Sequence, residues 1–469
     1  MLYRRLIEDH IDNPSIVLSN GRQDYTIRQI HEAVKGYRFM FQKQRLRKGD
    51  RVAVVDSDPL RVAFALLACV AEGCICVPLS DCLDSDSRRE ILENCTPSLV
   101  VDSDPPSTPP VDDARVLQTK DTAVYLIYTS GSTGTPKGVI GCQKQIFFCC
   151  EAILSRLKLN RSDRILCSLP LSFDYGMYQI FLTLFSGAFL FLDDSRMLQQ
   201  IPYFLRHQAI TVFPTIPTVG NLLLKTTRLC ADTAPDLRSI TFTGEVLPVS
   251  LIHEFYARLP MTHLIPMYGL TECKRVCVMP PGREDKVLAG SCGRPLDGVA
   301  VRLEHVDAET GIGELIVEGS NVMEGYWGLS GGDGDTFFVD PDSKKRCVRT
   351  NDLFRIDAEG FLFFCGRKND ILKIRGYRVS SSWIENRFRL CRGVLEVAVI
   401  ALPDAFSGER AVAVLHVNDP ASWQEAWACR GSLPSYLRNM QLIFTEHSLP
   451  RNRNGKIDRK ALRSTVEES

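Results

Sequence analysis

The chain has 469 residues, 45% of them hydrophobic and 24% charged, which is too long for one ordinary core and too apolar for a disordered protein. Lys plus Arg and Asp plus Glu each number 56, and a net charge of zero argues against a nucleic-acid or anionic-membrane partner. The opening "MLYRRLIEDHIDNP" is too charged for a signal peptide, and the longest apolar run, Ile180 to Leu192, is too short to span a bilayer, so a cytoplasmic protein without membrane contact is expected.

In chain order, "RVAVV" at 51–55, "RVAFALLACVAEG" at 61–73 and "CICVPL" at 74–79 read as strand, helix and strand, a parallel α/β unit. "DSDPPSTPPVDD" at 102–113 reads as an exposed loop. "AVYLIY" at 123–128 reads as a buried strand, and "KQIFFCCEAILSRL" at 144–157 as an amphipathic helix. The α/β rhythm returns at "RILCSLP" (164–170), the apolar stretch 177–192, "ITVFPTIP" (210–217) and "SITFTGE" (239–245). After Gly290 the texture becomes β-rich, with "VAVRLEHVD", "GELIVEG" and "GFLFFCGR". From about residue 368 a helical "SSWIENRFRL" precedes the strand-like "VLEVAVIALP" and "AVAVLHV". Seventeen scattered cysteines, with Cys149 and Cys150 adjacent, form neither a disulfide framework nor a zinc spacing, so reduced and mostly buried thiols are expected.

Between the strand at 123–128 and the helix at 144–157 lies "YTSGSTGTPKG", residues 128–138. Hydroxyls, glycine-freed amides and one lysine suit a polyphosphate, and strand, loop, helix is an order that offers amides to an anion. It is not a P-loop, because Pro136 precedes Lys137 and Gly138 follows it. A merely flexible Gly/Ser/Thr turn is the structural alternative.

This segment resembles the phosphate loop of the adenylate-forming superfamily, which includes acyl-CoA synthetases, luciferases and nonribosomal-peptide adenylation domains. The resemblance spans residues ~120–460. "YGLTE" at 268–272 is similar to the Tyr-Gly-x-Thr-Glu motif, and "RTND" at 349–352 to the Thr-Gly-Asp motif, with Asn351 in place of Gly. "GRKNDILKIRGYRV" at 366–379 resembles the hinge region, and "NGKIDRK" at 454–460 the C-terminal lysine motif. The implied fold is α/β: a large N-terminal domain, residues 1–368, of αβαβα layers plus a β-rich subdomain, and a small mobile C-terminal α+β domain, residues 369–469.

The implied reaction joins a carboxylate to the α-phosphorus of ATP with release of pyrophosphate, then passes the acyl group to a thiol. By the resemblance, Thr129, Ser130, Gly131, Ser132, Thr133, Gly134 and Lys137 hold the β- and γ-phosphates. Thr271 reaches the α-phosphate, and Glu272 ligates Mg2+, a hard cation suited to carboxylate oxygen. Gly244, Glu245, Tyr268 and Gly269 lie at the adenine and ribose, with Asp352 accepting the ribose hydroxyls and Arg367 adding a donor. Lys456 bridges the carboxylate and the α-phosphate, which requires the C-terminal domain to close and then move about a hinge at Asn369, where the family commonly has Asp or Lys.

In amino-acid-activating relatives a Phe-Asp pair such as that in "LPLSFDYG" (169–176) binds the substrate ammonium, so Asp174 points to an amino acid; capping of the following helix is the alternative. Motif offsets suggest Tyr175, Tyr178, Pro214, Thr241, Thr243, Met267, Arg275 and Val276 as the pocket lining, and the two tyrosines favour a small acid. Arg275 is open to two readings, a second substrate carboxylate or an internal salt bridge. No carrier-attachment serine motif or condensation domain is seen, so a separate phosphopantetheinylated carrier protein is expected as acceptor, with coenzyme A as the alternative. A P-loop-type kinase or ATPase would not need Lys456. A non-catalytic nucleotide-binding protein would not need Lys137, Glu272, Asp352 and Lys456 together.

Overall fold

The computed structural model describes residues 1–105, 117–130, 136–193, 195, 197–329, 336–368, 371–374, 377–389, 391, 393–404, 408–417, 421–431, 433–451 and 457–467. Two sheets organise the large N-terminal part. In the nine-stranded sheet, six neighbouring strands run parallel in the order His263–Tyr268, Ser239–Phe242, Val212–Thr215, Arg164–Cys167, Phe189–Leu192, Ile16–Ser19. The five-stranded sheet orders Leu99–Val101, Arg51–Val55, Ile75–Leu79, Ala123–Ser130 and Pro136–Cys142.

The parallel strands are continuous apolar runs because both faces are covered; Ile75–Leu79 is buried at every position. Helix Pro59–Glu72, begun by Pro59 and an Asp58 side chain that accepts from the Leu60 N–H, crosses between Arg51–Val55 and Ile75–Leu79. Helix Asp174–Ser186 is buried from Asp174 through Phe185. Apolar on every face, it belongs inside the layered stack rather than on its surface.

One apolar core runs from Leu2 to Leu362 and joins both sheets. A β-rich unit follows, built on the antiparallel strands Val299–Glu304, Gly313–Gly319, Arg346–Ile356 and Leu362–Arg367. Beyond it the small C-terminal part has cores of its own, drawn from residues 372–442 and 398–462. Its sheet pairs Val394–Asp404 with Gly408–Val417 antiparallel, and the latter with Gln441–Thr445 parallel. All seventeen cysteines are free thiols, twelve of them buried. Among the described residues no helix is long and apolar enough to cross a membrane.

The phosphate-loop segment departs from the expected strand, loop, helix order. Its chain turns back as strand Pro136–Cys142, antiparallel to Ala123–Ser130, before helix Gln143–Leu157 begins. Glycine makes this pairing possible. A Cβ on Gly141 would stand 2.1 Å from the Tyr125 ring, and one on Gly138 2.8 Å from the Tyr128 ring. The two tyrosines lie across bare backbone, so Lys137 sits on a hairpin and not at a helix N-terminus.

Candidate active site

Strand His263–Tyr268 ends in a turn whose glycine cannot be replaced, because a Cβ on Gly269 would lie 1.9 Å from the Lys274 carbonyl oxygen. That turn presents Tyr268, whose hydroxyl donates to Asp352 Oδ2 at 2.7 Å. Arg367 Nε approaches Asp352 Oδ1 at 3.4 Å, so the carboxylate is addressed from both oxygens. Burial, and then the neighbouring Asp352, push the Tyr268 phenol well above its ordinary range, which keeps it a donor. Asn351 adopts φ +57°, the left-handed region where glycine is at ease and asparagine next best, so it preserves the turn that aims Asp352. Gly244, Glu245, Tyr268, Gly269, Asp352 and Arg367 all line a cavity of about 580 Å3, within the range of small-molecule sites. Glu245 has a local task as well: its Oε2 accepts from the N–H and hydroxyl of Thr218 at the start of helix Pro217–Thr226.

At the hairpin, Lys137 Nζ stands 5.0 Å from the centre of the Tyr326 ring. The Tyr326 hydroxyl donates to Glu272 Oε1 at 2.7 Å. The Glu272 carboxylate is thus held by one oxygen, and among the described residues no hydrogen bond engages Oε2. That donor suits a hard divalent cation. No cluster of three metal-ligating side chains exists among the described residues, so a cation there would complete its shell with phosphate oxygens and water. Thr129 pairs with Lys137 across the hairpin, and Thr271 precedes Glu272 in the turn. Gly131, Ser132, Thr133, Gly134, Asn369 and Lys456 lie outside the described residues, as does the side chain of Ser130.

The structure gives Asp174 a partner other than the expected substrate ammonium. Lys274 Nζ donates to Asp174 Oδ2 at 2.9 Å and to its main-chain oxygen at 2.6 Å, with 1% and 9% of the two side chains exposed. The ammonium also lies 3.9 Å from the centre of the Tyr178 ring. The capping alternative is not met either, because Asp174 is the first helical residue and the helix has no side-chain cap. Burial pushes Lys274 down to about 8, Asp174 acting against the shift and Arg275 with it.

The next residue, Arg275, donates to Thr243 Oγ1 at 3.0 Å and lies over the Tyr175 ring. The internal salt bridge expected as its alternative role is absent among the described residues. Tyr175 bonds Thr241, and Tyr178 bonds the Tyr125 hydroxyl. Tyr175, Tyr178, Thr241, Met267, Lys274 and Arg275 surround a second cavity of about 10 Å3, room for about one water. Thr243 and Met267 line the larger cavity. Val212, two positions before Pro214, lines the small cavity, whereas Pro214 and Val276 line neither.

Residues 4–117 and 102–327 match the AMP-binding enzyme family, and residues 384–456 match the AMP-binding enzyme C-terminal domain. The chain belongs to the AMP-binding, adenylate-forming enzymes.

Its relatives within that family differ in what they serve. It is 30% identical, over 98% of its own length, to a probable non-canonical nonribosomal peptide synthetase, CymA, of Salinispora arenicola, of which it spans 6%. It is 27% identical to a 2-succinylbenzoate–CoA ligase of Bacillus velezensis, over 95% of this chain and 94% of that one. The ATP-bound structure of MatB from Rhodopseudomonas palustris superposes with a TM-score of 0.85 over 100% of this chain and 99% of that one, at 22% identity, which shows the shared fold.

Two residues of this adenylate-forming site escaped the motifs. Lys274 sits inside "TECKRV", but its partner is 100 residues away, and Tyr326 reaches Glu272 across 54. Gly138 and Gly141, opposite Tyr128 and Tyr125 of the preceding apolar strand, are the signal for the hairpin; nothing local signals either tertiary pair.

Proposed function

We propose that the chain activates a small carboxylic acid with ATP as an acyl-adenylate, releasing pyrophosphate, and passes the acyl group to a phosphopantetheine thiol. The observation that carries this reading is the pair of carboxylate clamps: Tyr268 and Arg367 on Asp352 at the larger cavity, and Tyr326 on Glu272 beside Lys137. The first suits a ribose, whose hydroxyls a held carboxylate accepts. The second suits a cation and the phosphates around it.

Adenylation brings two anions together, so charge placement carries the step. In this reading Lys137 faces the outer phosphates, and Thr271 donates to the α-phosphate where charge develops. Mg2+ on Glu272 would supply Lewis-acid neutralisation of the phosphate oxygens. Lys456 is the proposed cation for the attacking carboxylate, carried by a lid domain of residues 369–469 that moves about Asn369 between the half-reactions.

A carrier-protein thiol is the preferred acceptor, supported by the likeness to a nonribosomal peptide synthetase. The near-complete match in length to a CoA ligase favours the second reading, coenzyme A. The amino-acid form of the substrate rested on Asp174, and the Lys274 contact argues against it. ATP–pyrophosphate exchange across a panel of acids tests the reading: acid-dependent exchange supports it, and acid-independent ATP hydrolysis overturns it. Intact-mass analysis with holo-carrier and coenzyme A then identifies the thiol.

A further inference from the structure

The charge of the acyl pocket bears on which acid this site takes, and the inference rests on the adenylation reading above. Two buried cations, Lys274 and Arg275, line the 10 Å3 cavity at 1% and 3% exposure, and Asp174, 6% exposed, pairs with Lys274 behind it. Lys274 has satisfied partners in the Asp174 carboxylate, the Asp174 carbonyl and the Tyr178 ring. Its backbone is held at φ +53°, a conformation that side-chain-bearing residues adopt at a cost, with its carbonyl against Gly269. The chain therefore supplies from within itself the ammonium that Asp174 would otherwise take from a substrate.

That leaves Arg275 as one positive charge in excess, two cations against one anion. Its partners are a hydroxyl and a ring face, and no carboxylate lies within ion-pair distance among the described residues. A guanidinium buried without an anion is costly, and its planar fork matches a carboxylate. Arg275 Nη1 is one hydrogen bond from the larger cavity, since Thr243 lines that cavity and Met267 lines both. An anion reaching it is a second charge of the substrate, because the reacting carboxylate must lie at the nucleotide. The smaller cavity, holding about one water, leaves no space for a long spacer.

We propose that Arg275 determines specificity by receiving the second carboxylate of a short, non-amino dicarboxylic acid, while Lys274 fills the place beside Asp174 that a substrate ammonium would need.

The test is ATP–pyrophosphate exchange by the full chain with Mg2+ and, in parallel, malonate, succinate, glutarate, propionate, alanine and β-alanine. Malonate or succinate should exceed propionate, glutarate and both amino acids by about tenfold or more in kcat/KM. Arg275→Met should raise the KM for the preferred diacid by about tenfold or more with a smaller change in kcat, and Arg275→Lys should restore part of it. Exchange driven as well by alanine, β-alanine or propionate overturns the inference and leaves the adenylation reading standing. Exchange with none of the six acids overturns the inference, and acid-independent ATP hydrolysis in the same assay overturns the adenylation reading as well. The wild-type comparison decides the matter even if the variants do not fold.

Discussion

Tyr268 and Asp352, 84 residues apart, meet through a 2.7 Å hydrogen bond from phenol to buried carboxylate. The bond joins the end of a parallel strand of the main sheet to the β-rich unit beside it, so the larger cavity is built at their junction. Tyr268→Phe leaves Asp352 short of a donor, a loss of ~1–3 kcal/mol for a buried polar group. The KM for ATP should rise about tenfold, with a lower melting temperature. Measured together, an unchanged KM with a lowered Tm would mean that the pair serves the fold alone.

Tyr326→Phe frees Glu272 Oε1. With the carboxylate no longer oriented, half-maximal exchange should require about tenfold more Mg2+, from the loss of a hydrogen bond to a charged group. Saturating Mg2+ should recover most of kcat. A Mg2+ titration superimposable on that of the wild type would remove Tyr326 from the cation site.

The Lys274–Asp174 pair is suited to a double-mutant cycle. Lys274→Met leaves a buried carboxylate unpaired and should cost ~3–5 kcal/mol of folding stability. Combining it with Asp174→Asn should return most of that loss, giving a coupling above ~1 kcal/mol in urea unfolding. Additive effects would show that the two side chains do not depend on each other.

The same pair predicts a pH dependence. Lys274 releases its proton at about 8 when folded and near its ordinary value of 10.5 when unfolded. Between those values the unfolded chain binds more protons, so this group's contribution to stability rises with pH across that window, by up to ~1.4 kcal/mol per unit. Below about 8 both states are charged and the contribution is flat. The difference in unfolding free energy between wild type and the Asp174→Asn/Lys274→Met double variant, measured from pH 7 to 10, should follow that slope; a constant difference would contradict it.

Asn351 tests the turn before Asp352. Asn351→Gly should be neutral or slightly stabilising, whereas Asn351→Ala forces a Cβ into left-handed backbone at ~1 kcal/mol and should also raise the KM for ATP. Equal melting temperatures for the two variants would rule out backbone strain as the reason for asparagine there.

Much of the architecture was legible because buried parallel strands are continuous apolar runs. Residues 51–55, 75–79 and 212–215 announce themselves by composition alone. Strand Pro136–Cys142 was not legible. It contains two glycines and begins with proline, and its pairing depends on Tyr125 and Tyr128 covering bare backbone from the neighbouring strand. The motifs located Tyr268, Glu272 and Asp352, whose local sequence carries their turns. They could not reveal that Asp174 already has a cation, because burial converts two unremarkable charges into a pair only after the helix at 174–186 and the turn at 269–276 are packed together. Pro214 failed for a related reason: residues two apart on a strand share a face, and the cavity falls beside Val212 rather than further along.

Met267 lines both cavities, and that shared wall bears on how acid preference can diversify. If the proposed adenylation reading holds, a substitution there is felt by the acid and by ATP together, so new selectivity gained through residue 267 carries a nucleotide penalty with it. Leu182 and Val212 border the smaller cavity alone. In that reading, changes at those two positions alter the accepted acid while ATP handling stays intact, which makes them the open evolutionary route and Met267 the constrained one.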